Sequence, residues 1–197
     1  MPPFTPVPNG AAMPDAGDAA CTRILATGRV RAIRVPAVSG PNGCSIAFPV
    51  SLAAVLLDDG RAVEIQPPAL MRCDLAETLA EWIREDIAPL GASRGELVGI
   101  DDAAAYDCRS RNHVPGARLS EHGRGDAIDV VALRFAGERV GLRQDDGHDL
   151  WAQVKVSACS RFMTVLGPGS DGYHEDNLHL DLENRHHGSH YCHWDHP

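Results

Sequence analysis

The stretch Asn177-Leu178-His179-Leu180-Asp181-Leu182 alternates polar and apolar residues without a break, which is the repeat of a β-strand, whose side chains point to opposite faces in turn. Leu178, Leu180 and Leu182 share one face, so His179 and Asp181 share the other. A strand with one oily face must lie in a sheet over a core. A histidine on the opposite face of such a strand is held in place. Taken alone it reads as a half-buried sheet histidine satisfied by a neighbour.

It is not alone, because Ser120-Glu121-His122-Gly123-Arg124-Gly125-Asp126-Ala127-Ile128-Asp129 sets a second histidine on a glycine-rich turn and a carboxylate seven residues later. Gly123 and Gly125 permit close backbone approach there. Ala127 to Leu133 reads as a strand, with Asp129 between Ile128 and Val130. An ionised carboxylate in such a run is costly unless it is paired or bound to metal. Two imidazoles and one carboxylate are a zinc ligand set that leaves a fourth tetrahedral position open, as in catalytic sites. His122, Asp129 and His179 are therefore the expected metal ligands, and Zn2+ the expected cofactor.

Further out, Val55 to Leu57 and Ala62 to Ile65 flank Asp58-Asp59-Gly60 as two strands around a tight turn, ended by Gln66-Pro67-Pro68. Asp74 and Glu77 form a capping-box-like start to a helix carrying Leu75, Leu79, Trp82, Ile83 and Ile87 as far as Pro89 and Gly91. Strands are expected at Glu96 to Ile100 and Phe162 to Leu166, a hairpin over Phe135 to Val140, and a helix at His148 to Ala158. The mixed order predicts an α+β domain with a small, mainly antiparallel sheet flanked by helices. Residues 1–20, rich in Pro, Ala, Gly and Asp, read as a disordered tether, followed by one domain over 21–197 with its core at about 44–192.

The chain has 197 residues, enough for one domain, and 44% of them are apolar, enough to close a single core. Its formal charge of -9 and lack of a basic run exclude a nucleic-acid partner. Its longest apolar runs fall far short of the roughly 20 residues needed to span a bilayer, so a soluble protein is expected. Six cysteines, with no Cys-x-x-Cys pair, fit disulfides and an oxidising compartment such as a bacterial periplasm. Cys44 is expected to meet Cys73. Met1-Pro2-Pro3 lacks the basic and apolar regions of a signal peptide, so any export signal is expected to be absent from this chain.

The pattern Ser-x-His-x-x-Gly-x-Ala-x-Asp followed by a distant His, carried here by Ser120, His122, Gly125, Ala127, Asp129 and His179, resembles that of the lysostaphin, D-Ala-D-Ala peptidase and hedgehog group. More widely, the chain is similar to the bacterial extensin-like C-terminal domain. The marks are Tyr106-Asp107-Cys108-Arg109, Leu119-Ser120-Glu121-His122, Val165-Leu166-Gly167-Pro168-Gly169 and His179-Leu180-Asp181-Leu182. The resemblance implies a disulfide-stabilised zinc peptidase core of that group, acting on peptidoglycan stem peptides or cross-linked fragments.

It also suggests roles for further residues. His174, five residues before His179, is similar to the first histidine in the His-x-x-His-x-His ending of penicillin-insensitive murein endopeptidases. It is the candidate proton acceptor, or else a residue that only orients a ligand. Asn177 stands where that ending has its middle histidine, and the Glu-x-x-His ending of D-Ala-D-Ala carboxypeptidases is absent. Arg109 resembles the arginine such enzymes place beside the metal to hold an oxyanion or a carboxylate, with Arg111 as its alternative. Asp181 either fixes a ligand imidazole or forms a plain salt bridge. Ser120, Tyr106, Arg111 and Asn177 are expected to line the substrate site or to support the ligands.

The ending from Arg185 to His196 holds five of the ten histidines and reads as a solvated tail anchored by Cys192. The leading expectation is a zinc-dependent amide hydrolase, and its rival is a non-catalytic zinc-bearing module for recognition. A plant-like structural extensin would need Ser-Pro runs and repeats, which are absent.

Overall fold

The computed structural model describes residues 15–91, 94–144, 147–185 and 188–195. The chain enters through helix α1 (Ala16–Ala26), started by Asp15, whose carboxylate accepts from the Gly17 N–H at 2.8 Å. The expected tether therefore gives way to helix within its last residues, and its remainder, 1–14, lies outside the described residues. Next come β1 (Val30–Arg34), β2 (Val38–Ser39), β3 (Ser45–Ile46), β4 (Pro49–Leu56) and β5 (Ala62–Arg72).

Strands β4 and β5 pair antiparallel, as the turn at Asp58 to Gly60 predicts, but β5 continues through Gln66-Pro67-Pro68. Its register against β4 jumps from Leu52↔Ala69 to Ala54↔Glu64. The prolines thus sit in a bulge, where no ladder N–H is required of them.

Helix α2 (Cys73–Trp82) runs into a π-type turn (Ile83–Ile87) and a last turn, α3 (Ala88–Leu90), which together make up the expected helix. The capping box is not formed. Arg72 occupies the N-cap position, Asp74 pairs with Arg72, and the Glu77 carboxylate is taken by Arg23 of α1 at 2.7 Å. Then follow β6 (Leu97–Ala104), β7 (Ala127–Phe135), β8 (Glu138–Gly141), α4 (His148–Arg161), β9 (Thr164–Leu166), β10 (Leu178–Asp181) and β11 (Tyr191–His193).

The architecture is α+β, but the main sheet is not small: it has nine strands in the order β1-β4-β5-β6-β7-β10-β9-β11, with β8 paired to β7. All its pairings are antiparallel except β5 with β6 and β9 with β11. Helices α1, α2 and α4 join one core with the oily face of the sheet, where Ile128, Val130, Leu178 and Leu180 are fully buried. Each such side chain stabilises the fold by about 1.5–3 kcal/mol. Trp82 of α2 meets Phe162 edge to face at 5.6 Å between ring centroids and donates to Ser157 Oγ at 2.9 Å.

Three disulfides are present, Cys21–Cys73, Cys44–Cys108 and Cys159–Cys192, and they fit the oxidising compartment of exported proteins. The expected Cys44–Cys73 pair is not formed. The packing of α1 on the start of α2 brings Cys21 to Cys73, whereas Cys44 lies beside the segment after β6. No helix among the described residues is long and apolar enough to cross a membrane.

The C-terminal segment is docked where a solvated tail was expected. β11 pairs parallel with β9, and Trp194 is 2% exposed beside Trp151. A Cβ at Gly167 would lie 2.6 Å from the Trp194 ring, so only glycine lets the indole in. His186, His187 and His196 of that tract lie outside the described residues.

Candidate metal centre

Antiparallel pairing of β10 with β7 sets His179 directly opposite Asp129, with Leu178↔Val130 and Leu180↔Ile128 flanking them on the core side. The third member, His122, comes from a 3-10 turn (Glu121–Arg124) that enters β7 through Gly125. Gly125 has φ +66°, and a Cβ there would lie 2.3 Å from Ile46, so this turn tolerates no larger residue without movement. Gly123 is equally confined, 2.7 Å from Leu119 and 3.2 Å from Cys44 Sγ by the same measure.

The three side chains are buried, and His122 Nε2, His179 Nδ1 and Asp129 Oδ1 lie 3.1, 2.9 and 3.3 Å apart pairwise. Among the described residues they are the one group of His, Cys, Asp or Glu with the spacing to hold a metal ion. The other ring nitrogens are committed elsewhere. His122 Nδ1 donates to the Ala105 carbonyl at 2.7 Å, and His179 Nε2 donates to Asp181 Oδ2 at 3.1 Å. In the neutral tautomers that these two bonds select, both imidazoles turn lone pairs toward the carboxylate, so three acceptors converge on one point unless a ring takes up a proton and donates it to Asp129. Such a point requires a proton or a cation. Ligands about 2.0–2.1 Å from a tetrahedral ion stand roughly 3.3–3.4 Å from one another, so one ion fits with little movement.

The charges agree with that demand. Burial resists ionisation of Asp129, yet hydrogen bonds from His122 and His179 outweigh it and hold the carboxyl far below the usual carboxylate range. Burial likewise disfavours an imidazolium at His179, but Asp129 and Asp181 keep its pKa up at about 9. Asp102, behind the site on β6, is pushed up to about 6 by burial and then by the charges of Asp129 and Asp101.

A groove crosses the cluster in two lobes of about 260 and 220 Å³ that share Arg109, Asn112 and His174. His122, His179, Ser120, Arg111 and Asp181 line the first, and Asp129 and Asn177 the second. Arg109 Nη2 stands 4.0 Å from Asp129 Oδ2 while its Nε donates to Asp107 at 2.9 Å. Arg111 is tied to Glu183 at 2.8 Å. The His174 ring is centred 5.3 Å from that of His179, and its Nδ1 is held by Asp171 Oδ1 at 2.8 Å.

Tyr106 alone among the expected site residues lines neither lobe. Its hydroxyl packs near Gly40 by the Cys44–Cys108 disulfide, so it shapes the segment carrying Arg109 rather than the groove. Asp171, Asn112 and Arg185 are among the groove residues that the sequence reading missed. Asp171 carried a signal, an acid three residues before His174 in a Gly- and Asp-rich loop. Asn112 and Arg185 carried none. Asn112 has φ +53°, a left-handed conformation found at functional sites more often than elsewhere.

Fold and site together define a disulfide-stapled α+β domain whose buried His/Asp/His cluster could hold a metal ion. The chain belongs to the family described as extensin-like protein C-terminus, which it matches over residues 19–193. The match begins within α1, takes in β1, and so extends upstream of the 44–192 core expected from the sequence. No curated protein and no solved structure gives a significant match.

Proposed function

We propose that this chain is an exported, periplasmic zinc peptidase of the lysostaphin-group type that hydrolyses an amide bond in peptidoglycan stem peptides or their cross-links. The observation that carries the reading is the convergence of His122 Nε2, His179 Nδ1 and Asp129 Oδ1 at the junction of a two-lobed groove, with their remaining nitrogens already bonded. Two nitrogens and one oxygen suit zinc and leave room for a further ligand. When bound, the ion would supply Lewis acidity toward a carbonyl and acidify water.

The chain's own residues supply the remaining chemistry. His174, fixed through Nδ1 by Asp171, keeps Nε2 as the nitrogen that accepts a proton from water and returns it to the leaving amine. Arg109 offers a guanidinium beside Asp129 for negative charge that develops on the carbonyl oxygen. Asp181 holds His179 in the tautomer that presents Nδ1.

The test is digestion of peptidoglycan fragments of defined cross-link type, with zinc and with chelator, and identification of products by mass. Chelator-sensitive cleavage of a peptide bond is expected. Stoichiometric zinc without cleavage of any bond would instead establish a metal-bearing recognition module.

A further inference from the structure

We propose that Thr164 and Arg185 are positioning residues of the metal centre: together they hold the Asp181 carboxylate that fixes His179, so that the C-terminal part of the chain takes part in building the site. This rests on the metal-binding reading above and adds two residues that the sequence pattern does not mark. Strand pairing supplies the frame. Asp181 on β10 lies directly across from Thr164 on β9, and Thr164 lies directly across from Tyr191 on β11. Partners at one register position point to the same face of a sheet. Here it is the face that carries His179, and all four side chains line the first lobe.

Chemistry fixes the order of the donors. A guanidinium only donates, so Arg185 Nη2, 2.8 Å from Thr164 Oγ1, makes that hydroxyl the acceptor. The single hydroxyl proton of Thr164 is then left for Asp181, to whose carboxylate the Thr164 side chain is hydrogen-bonded. His179 Nε2 donates to Asp181 Oδ2 at 3.1 Å, and the Glu183 N–H donates to Oδ1 at 2.9 Å. Three donors thus hold one carboxylate, and turning it away would break all three bonds. Asp181 and Thr164 are 2% and 3% exposed, so water does not readily replace a missing donor. Arg185 is aimed by its own neighbours. Its Nη2 stands 2.7 Å from Glu183 Oε2, and its guanidinium lies 5.4 Å from the centre of the Tyr191 ring. Its Nε is buried without a partner among the described residues, so Nη2 and the ring hold the fork. Tyr191 in turn is fixed by β11, which Cys192 ties to Cys159.

The experiment measures the zinc affinity of the full chain by competition with a chelating dye, which requires no activity. Thr164→Val keeps the branching that suits a strand and removes the hydroxyl, and it is expected to raise the zinc Kd about tenfold. Thr164→Ser restores the hydroxyl and is expected to stay within about twofold of the parent. Arg185→Met is expected to raise Kd about fivefold. Made in an Asp181→Ala background, Thr164→Val is expected to shift Kd by no more than about twofold, because a bond that acts through Asp181 has nothing left to act on. A tenfold loss in both backgrounds, or none in the parent, overturns this proposal and leaves the metal centre standing. A parent that takes up no zinc overturns both. As a second measurement, the His179 Nε2–H signal of the zinc-loaded chain, followed by nuclear magnetic resonance, is expected to exchange with solvent faster in Thr164→Val than in Thr164→Ser. Equal rates count against a role for Thr164 in holding this imidazole.

Discussion

His179 stands directly across from Asp129 on neighbouring antiparallel strands, with Nδ1 2.9 Å from Oδ1. Strand pairing alone fixes two of the three converging atoms, before any loop is considered. Only His122 depends on a turn, and that turn is set by Gly125. Asp129→Ala removes one of the two strand-borne ligands. It is expected to reduce bound zinc, by elemental analysis, from about one ion per chain to near background, with the disulfide-linked fold retained. Equal metal content in variant and parent would disprove the assignment of the centre.

Asp181 is not one of the three converging side chains but orders one of them, since it accepts from His179 Nε2 at 3.1 Å. Asp181→Ala frees that imidazole to rotate and to change tautomer. Zinc affinity, measured by competition with a chelating dye, is expected to fall by about 10–100-fold.

His174 and Asp171 allow the proposed proton transfer to be tested apart from metal binding, because neither belongs to the converging triad. His174→Ala is expected to lower kcat by about 10²–10⁴-fold while metal content stays the same. Asp171→Asn keeps a weaker partner for Nδ1 and is expected to fall between that variant and the parent. Loss of metal from His174→Ala would move this residue from the proton path to the ligand set.

The parts legible in sequence are those where local pattern and tertiary role coincide. The alternation over 177–182 and the lone acid between Ile128 and Val130 expose two of the candidate ligands, because a buried polar residue breaks an otherwise apolar pattern. β1 left no such trace: only Val30 and Ala32 of its five residues are partly covered along the sheet edge, and Ile33 is 66% exposed. β11 and the burial of Trp194 were illegible for a different reason. They depend on the space over Gly167 and on the link to Cys159, both distant in sequence. The sequence already set Arg109 ahead of Arg111 by resemblance, but only the structure shows that Glu183 pairs with Arg111.

The disulfides are expected to differ in what they protect. Cys44–Cys108 fastens the segment that carries Arg109 beneath the groove, and Gly123 packs close to Cys44 Sγ. Cys21–Cys73 joins α1 to α2, away from the ligands. Replacing either pair by alanines is expected to cost about 2–4 kcal/mol in chemical denaturation. Only the Cys44/Cys108 pair should also weaken metal binding, so equal metal affinity in both double variants would show that the first staple does not position the site.

Proton and metal compete for the same three atoms, which gives the metal-free chain a pH dependence of known sign. His179 has an ordinary pKa of 6.5 and a folded value of about 9, raised by Asp129 and Asp181 against the opposing effect of burial. Its stabilising contribution is therefore fully present below pH 6.5 and is lost as the pH rises through about 9. The difference amounts to on the order of 3 kcal/mol. Asp129, held far below its ordinary 3.8, contributes in the opposite sense: its share is present above that value and is lost as the pH falls toward the folded pKa. Chelator-treated protein should thus melt at progressively lower temperature between pH 6.5 and 9, and His179→Gln should flatten that slope. Zinc must displace the shared proton, so uptake at pH 7 should release about one proton per ion and tighten as pH rises. A metal-free chain whose melting temperature is level across that window would show that no proton is shared among these three side chains, and the argument for a cation at the same point would lose its physical basis.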